Sequence, residues 1–214
     1  MADIEGSTQV PESADDVEMV GEEEAAENVE ETASGAAKPE ETTVAATSNP
    51  QTIFLEYLKS PIVKLVIGSG DGETSISAHS AILERSPFFV DKIAALPPNN
   101  LTIEFPDETL DAFGCLLQYQ YTGEYFPRRL PNVPNGLEPD PSLPSVDDTG
   151  AQLLKHARVY TLAEKLGLPE LKTLAHSKIH RINSTAVGEI AYAHYVYANT
   201  PVDDVTIRKP VAAF

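Results

Sequence analysis

The stretch SAHSAILERSPFF (77–89) decides the fold of this 214-residue chain, and it admits two interpretations. His79 and Ser80 suggest a base beside a nucleophile, whereas the apolar residues recur at helical spacing and suggest a core. These apolar residues are Ile82, Leu83 and Phe89. Pro87 interrupts the helical pattern, because proline lacks the N–H group that a continuous helix needs. We therefore expect one helical turn, a break and a second helix.

Strand patterns flank this stretch on both sides. IVKLVIG (62–68) is a β-branched run typical of a strand, and SGDG (69–72) has the composition of a hairpin turn. ETSISAH (73–79) alternates in polarity as a pairing strand does, and LTIEF (101–105) predicts a third strand. Because a sheet of three short strands cannot cover itself, helices must pack on it.

Helical periodicity predicts the helices that pack on the sheet. It occurs in residues 52–59, 106–125, 149–167, 169–182 and 186–198. Asp107 and Gly123 are the expected caps of the second of these helices, and Asp148 is the expected N-cap of the third. The predicted fold class is α/β (α+β), a small three-stranded sheet capped by a cluster of helices. Residues 183–214 form a helical C-terminal extension in this prediction.

Two segments lack periodicity. Residues 126–148 contain six prolines and predict an extended, solvated insertion between helices. Residues 1–50 contain fourteen acidic side chains and one basic side chain, Lys38. Since such a segment buries too little apolar surface to fold alone, we expect a disordered acidic arm. The arm is either a solvated tail or a segment that binds a basic partner or becomes phosphorylated.

Composition excludes several classes of protein. The net charge is −18, and the chain has no Lys/Arg cluster of the kind that nucleic-acid binding requires. No run approaches the ~18 apolar residues that would span a membrane. The only cysteine, Cys115, cannot form an internal disulfide. We expect it to be a buried thiol in an intracellular protein of the cytoplasm and/or nucleus.

Three separated motifs, in order, resemble a BTB/POZ domain over residues 51–182. They are SAHSAILERSPFF, IEFPDETLDAFGCLLQYQYTGEY (103–125) and LLKHARVYTLAEKLGLPELKTLAHSKI (153–179). The last of these resembles the pair of helices that closes the family's domain. An acidic arm of low complexity is typical of the fungal BTB-domain-containing proteins, which this chain resembles most.

The resemblance implies a module that binds proteins, catalyses no reaction and uses neither cofactor nor metal. Family members form homodimers or hetero-oligomers and act as scaffolds or adaptors, some of them recruiting substrates to cullin-based ubiquitin ligases. Many carry an Asp before the first strand and a basic residue after the motif histidine, but Ile62 and Ser80 stand there in this chain. The loop 94–100 also lacks the hydrophobic-x-Glu element of many cullin-binding members.

Five residues are candidates for a protein interface. In family dimers the helix before the first strand packs across the two-fold axis, which suggests Phe54, Leu55 and Leu58. That helix could instead fold back on its own domain. Tyrosine is enriched in binding hot spots, so Tyr192 and Tyr195 either form a partner surface or pack between helices.

Two pairs of residues suggest a catalytic or a metal-binding site. His79 and Ser80 could form a hydrolase site, but adjacent residues at a strand-to-helix junction point in different directions, and no third group orients them. In the family this histidine is structural, and its ring ties the hairpin to a helix. His176 and His180 have the spacing of two metal ligands on one helix face, but without a convincing third ligand we expect a solvated surface.

Overall fold

The computed structural model of the chain describes residues 50–134 and 136–211, and side chains within 54–134 and 136–208. The expected acidic arm therefore lies outside the described residues, apart from Pro50. The elements are α1 (Pro50–Lys59), β1 (Ile62–Ile67), β2 (Thr74–His79), α2 (Ser80–Leu83), α3 (Pro87–Ala94), β3 (Thr102–Phe105), α4 (Leu110–Thr122), α5 (Ala151–Lys165), α6 (Pro169–Ile179), α7 (Ala186–Asn199) and α8 (Val205–Val211).

The three strands form one mixed sheet in the order β2-β1-β3. Central β1 runs antiparallel to β2, with Leu65 opposite Ile76, and parallel to β3, with Leu65 opposite Ile103. Alternate residues of β1 point into the core and are at most 1% exposed: Val63, Leu65 and Ile67. The prediction of a mixed α+β fold with a small three-stranded sheet and packed helices is confirmed.

The opening stretch is part of the core. It forms α2, breaks after Leu83 and resumes as α3, with Pro87 in the first turn, where a missing N–H costs nothing. Three of its apolar residues are at most 1% exposed: Ile82, Leu83 and Phe89. At the break, the buried Ser86 hydroxyl donates to the Leu166 carbonyl at 2.5 Å. This bond joins the stretch to the end of α5.

The C-terminal helices share this core. Helix α5 packs against α4, α6 and α7, and α8 packs against α7. Tyr192 and Val196 of α7 and Ile207 of α8 are at most 4% exposed and belong to the same hydrophobic cluster as the sheet. The helices within 183–211 are therefore packed as a continuation of the domain.

Two expected helix caps were wrong. Helix α4 begins after Thr109, not at Asp107, because the Thr109 hydroxyl accepts a hydrogen bond from the Ala112 N–H. At α5 the capping carboxylate belongs to Asp147, which accepts from the N–H groups of Gln152 and Leu153 at 2.9 and 3.0 Å. The expected C-cap at Gly123 is confirmed by its left-handed backbone, with φ of 79°.

The proline-rich insertion is not uniformly extended and solvated. Arg129 and Leu137 form an antiparallel bridge across a tight loop, so part of the segment folds on itself. Asp147, near its end, is only 2% exposed because its carboxylate caps α5 and its backbone pairs with Ser184. The proline content predicted an irregular segment but not these anchors.

A buried lysine connects α6 to the turn after α4. The side chain of Lys178 is fully buried, and its ammonium group lies 3.7 Å from the centroid of the Tyr125 ring. The ammonium donates to the carbonyl oxygens of Tyr125 and Pro127 and pairs with the Glu124 carboxylate at 2.7 Å. All three donors of the ammonium thus have acceptors.

Candidate protein-interaction surfaces

The histidine and serine of the opening stretch are not arranged as a base and a nucleophile. The Nδ1 atom of His79 lies 2.7 Å from the Tyr121 hydroxyl, which also accepts from the His79 backbone N–H at 3.1 Å. The Ser80 side chain is buried, and within the described residues no hydrogen bond joins it to the His79 ring. The histidine ties the hairpin to α4, as the sequence motif implied.

Helix α1 carries an exposed apolar face. Phe54, Leu55 and Leu58 are 43%, 48% and 42% exposed, and their spacing places them on one side of the helix. We call these three residues the α1 face. The helix is nevertheless fixed to its own domain, because the Ser60 hydroxyl at its end donates to the Tyr57 carbonyl and accepts from the Ala81 N–H. The C-terminal end of α1 is thus attached to its own domain, while the α1 face remains exposed.

The two candidate tyrosines of α7 point largely inward. Tyr192 is 4% exposed and lies in the hydrophobic core, where burial, the nearby Glu189 and Tyr160 raise its pKa. Tyr195 is half-buried, with its hydroxyl 2.8 Å from that of Thr161. The structure therefore assigns helix packing to Tyr192 in the isolated chain and leaves only part of Tyr195 accessible.

The outward side of α7 has an apolar surface that sequence reasoning missed. Val187, Ile190 and Tyr197 are 67%, 59% and 48% exposed. We call these residues the α7 face. The segment 186–199 contains one charged side chain, Glu189, and is apolar around most of its circumference. A helix that is apolar all round is usually covered on every side, and this composition was the signal that could have revealed the face.

Open clefts mark the surface of the described residues, and one of them contains paired polar side chains. One cleft, of about 430 Å³, lies between α5 and the α7–α8 turn. In it Lys165 pairs with Glu108 at 2.9 Å, and the Tyr160 hydroxyl donates to Asp204 at 2.9 Å. A second cleft, of about 590 Å³, runs beside β3 and is lined by Phe88 and Leu96 among others.

Among the helices within 50–211, none combines the length and apolar character that crossing a bilayer would require. In the same part of the chain, no three His, Cys, Asp or Glu side chains are grouped as a metal cluster would need.

Comparisons with known proteins find similarity among solved structures only. No family model matches the chain, and no curated protein matches its sequence. Among solved structures, the chain is similar to one described as the structure of the BTB (Tramtrack and Bric a brac) domain of human Gigaxonin. The similarity has a TM-score of 0.37 and 22% sequence identity, and it covers 61% of this chain and 92% of that chain.

Proposed function

We propose that this chain is a BTB/POZ-type interaction module that catalyses no reaction itself and self-associates through the α1 face. Three ordered sequence motifs support the family. In the fold they supply the end of β2 with α2, most of β3 with α4, and the pair α5 and α6. The observation that carries the association is the exposure of Phe54, Leu55 and Leu58 on a helix whose C-terminal end is hydrogen-bonded to its own domain.

The proposed organisation follows the sequence boundaries. Residues 1–50 form an acidic arm available to basic partners, 51–182 form the module with its insertion at 126–148, and 183–214 extend it. An intracellular location, in the cytoplasm and/or nucleus, accords with the single unpaired cysteine.

The α1 face supplies a moderate driving force. Full burial of a large apolar side chain contributes roughly 1.5–3 kcal/mol, so three side chains left a little under half exposed contribute roughly 2–4 kcal/mol per subunit. A two-fold interface doubles this to roughly 4–8 kcal/mol, which is near the lower end of the ~4–15 kcal/mol cost of association. We therefore expect a concentration-dependent dimer rather than a permanent one.

Sedimentation velocity of the full chain over a range of concentrations tests the proposal. Leu58→Asp should shift the equilibrium to monomer, because a carboxylate would lose its hydration in the interface. Val202→Asp is the matched control, since Val202 is 85% exposed and lies far along the chain, between α7 and α8. A monomeric wild-type chain at every concentration, or an equal effect of the two substitutions, would contradict the role of the α1 face.

The alternative function is a substrate-recruiting adaptor of a cullin-based ubiquitin ligase. We give it second place because the loop 94–100 lacks the hydrophobic-x-Glu element of cullin-binding relatives. Titration of a purified cullin N-terminal domain with the full chain separates the two. Saturable binding at micromolar concentration would favour the adaptor, whereas its absence would favour a scaffold without a ligase.

A further inference from the structure

Three atoms that carry lone pairs converge between α6 and α8. His176 and His180 lie one turn apart on α6 and its C-terminal end, and their Nε2 atoms are 3.0 Å apart. The two rings meet edge to face, with centroids 4.5 Å apart. The carbonyl oxygen of Thr206, from α8, lies 3.1 Å from the Nε2 atom of His176. Two imidazoles and a carbonyl thus meet at the junction of two helices.

This spacing suits two ligands of one metal ion. Zinc–imidazole bonds of about 2.0–2.1 Å, at angles of roughly 90–110°, place two ligand nitrogens about 2.9–3.4 Å apart. The separation of 3.0 Å between the Nε2 atoms of His176 and His180 lies within that range. Without a cation, a proton must lie between the two nitrogens for them to attract each other. A metal ion can use both lone pairs at once.

The donor set selects the class of metal. Imidazole suits Zn²⁺, Cu²⁺ and Ni²⁺, whereas Mg²⁺ and Ca²⁺ prefer carboxylates and other oxygen ligands. The neighbouring Asp204 carboxylate accepts from the Tyr160 hydroxyl at 2.9 Å and pairs with Lys172 at 3.3 Å. Its oxygens are therefore engaged, and water would complete the coordination. Such a site is open and exchangeable rather than a closed structural zinc centre.

We propose that His176, His180 and the Thr206 carbonyl form a site for one Zn²⁺-class cation and that this cation fastens α8 to α6. Other contacts also hold α8. Ile207 is fully buried, and Arg208 donates to the Tyr197 carbonyl at the end of α7 at 3.0 Å. The metal adds an attachment that, unlike these contacts, depends on an exchangeable ion.

The test uses the full chain without an affinity tag, titrated with ZnCl₂ by calorimetry, with MgCl₂ as the ionic control. We expect one Zn²⁺ per chain, no Mg²⁺ binding, and loss of saturable Zn²⁺ binding in His176→Gln and in His180→Gln. His194→Gln is the matched control, because His194 is an exposed histidine on α7 without a second histidine one turn away. It should bind Zn²⁺ as the wild type does.

Hydrogen exchange distinguishes the proposed bridge from a simple histidine pair. Zn²⁺ should slow exchange of the amides of residues 205–209 in the wild type and not in His180→Gln. Zn²⁺ binding that persists in His180→Gln would overturn the site. Zn²⁺ binding that requires both histidines but leaves exchange in α8 unchanged would overturn the bridge, because the Thr206 carbonyl would then not be a ligand.

Discussion

Replacing Lys178 by methionine removes a buried charge while keeping most of the length of the side chain. In the native chain this ammonium is the shared donor to two carbonyl oxygens, of Tyr125 and Pro127, and to the Glu124 carboxylate. Burial lowers the pKa of Lys178, but only the protonated amine can serve three acceptors at once. Lys178→Met leaves all three acceptors without this donor.

The cost follows from the acceptors that remain. Each buried carbonyl that loses its donor costs about 1–3 kcal/mol. Glu124 costs less, because its side chain is 22% exposed and Arg129 lies 3.4 Å away as a second partner. Part of this free-energy cost is offset, because the variant no longer buries a desolvated ammonium. Breaking a buried ion pair by removing one partner typically costs about 3–5 kcal/mol. We expect a loss of about 3–5 kcal/mol, or roughly 6–20 °C in Tm for a domain of this size.

Urea unfolding of the full chain, followed by circular dichroism, measures the effect. Lys165→Met is the matched control, because Lys165 also pairs with a glutamate, Glu108, at 2.9 Å but is 47% exposed. An exposed pair contributes only about 0–1 kcal/mol, so this variant should unfold nearly as the wild type does. Adding Glu124→Gln to Lys178→Met should cost less than the two single losses combined, because the neutral amide needs no counter-charge.

The reasoning fails if Lys178→Met lowers the free energy of unfolding by less than about 1 kcal/mol, the value of an exposed pair. That result would mean that water reaches the Tyr125 and Pro127 carbonyls. Strictly additive effects of the Lys178 and Glu124 substitutions would likewise show that the two side chains do not interact.

Two further predictions concern stability. Burial, followed by the positive charges of Lys178 and Lys155, lowers the pKa of His156 from 6.5 to about 3. As the pH falls, the His156 imidazole is protonated in the unfolded chain before it is protonated in the folded chain. The stability that comes from this difference is therefore complete above the unfolded pKa and is lost as the pH falls. Urea midpoints should reveal a loss of about 2 kcal/mol between pH 8 and pH 5, which His156→Gln should abolish; an unchanged slope would contradict the assignment. Two helical glycines should respond oppositely to alanine: Gly188→Ala should cost about 1–3 kcal/mol, because its Cβ would lie 2.8 Å from the Asp147 carbonyl oxygen, whereas Gly114→Ala, which has open space, should stabilise by about 0.5–1 kcal/mol. Thermal unfolding measures both, and equal signs would refute the packing argument.

Local chemistry made much of the fold predictable. The β-branched run of β1, the glycine-rich turn and the alternation of β2 each specify structure over a few residues, and Pro87 specifies its own helix break. The N-cap of α4 was predicted at Asp107 and lies at Thr109, a residue type that caps helices equally well. Only the backbone path, extended at Thr109 with φ of −102° and ψ of 145°, selects between them.

The contacts of Lys178 could not be predicted in the same way. A lysine on a helix near its C-terminal end normally lies in water. Its acceptors lie 51 and 53 residues earlier in the chain, in a proline-containing turn without periodicity. Burial of this side chain is a property of how α6 meets that turn, which no window of the sequence contains.

Hydrophobic periodicity could not assign the buried face of the α7 helix. A face can be assigned from sequence only when polar residues mark the side that meets water, and the residues of 186–199 are apolar almost throughout. The sequence therefore suggested Tyr192 and Tyr195 as surface candidates, whereas tertiary packing leaves Tyr192 buried, Tyr195 half-buried and Tyr197 exposed.

Charge places the remaining constraint on any self-association. Of the net charge of −18, residues 1–50 carry fourteen negative charges against one positive charge, so the rest of the chain is only mildly acidic. Two copies of a chain with a net charge of −18 repel each other wherever they join. Such repulsion is screened beyond about 8–10 Å at ordinary salt, whereas burial of Phe54, Leu55 and Leu58 is not screened. An interface on α1 must therefore be stabilised by apolar contact, which has to exceed the repulsion between two acidic chains. The uncharged α1 face is suited to such pairing between two copies of the chain.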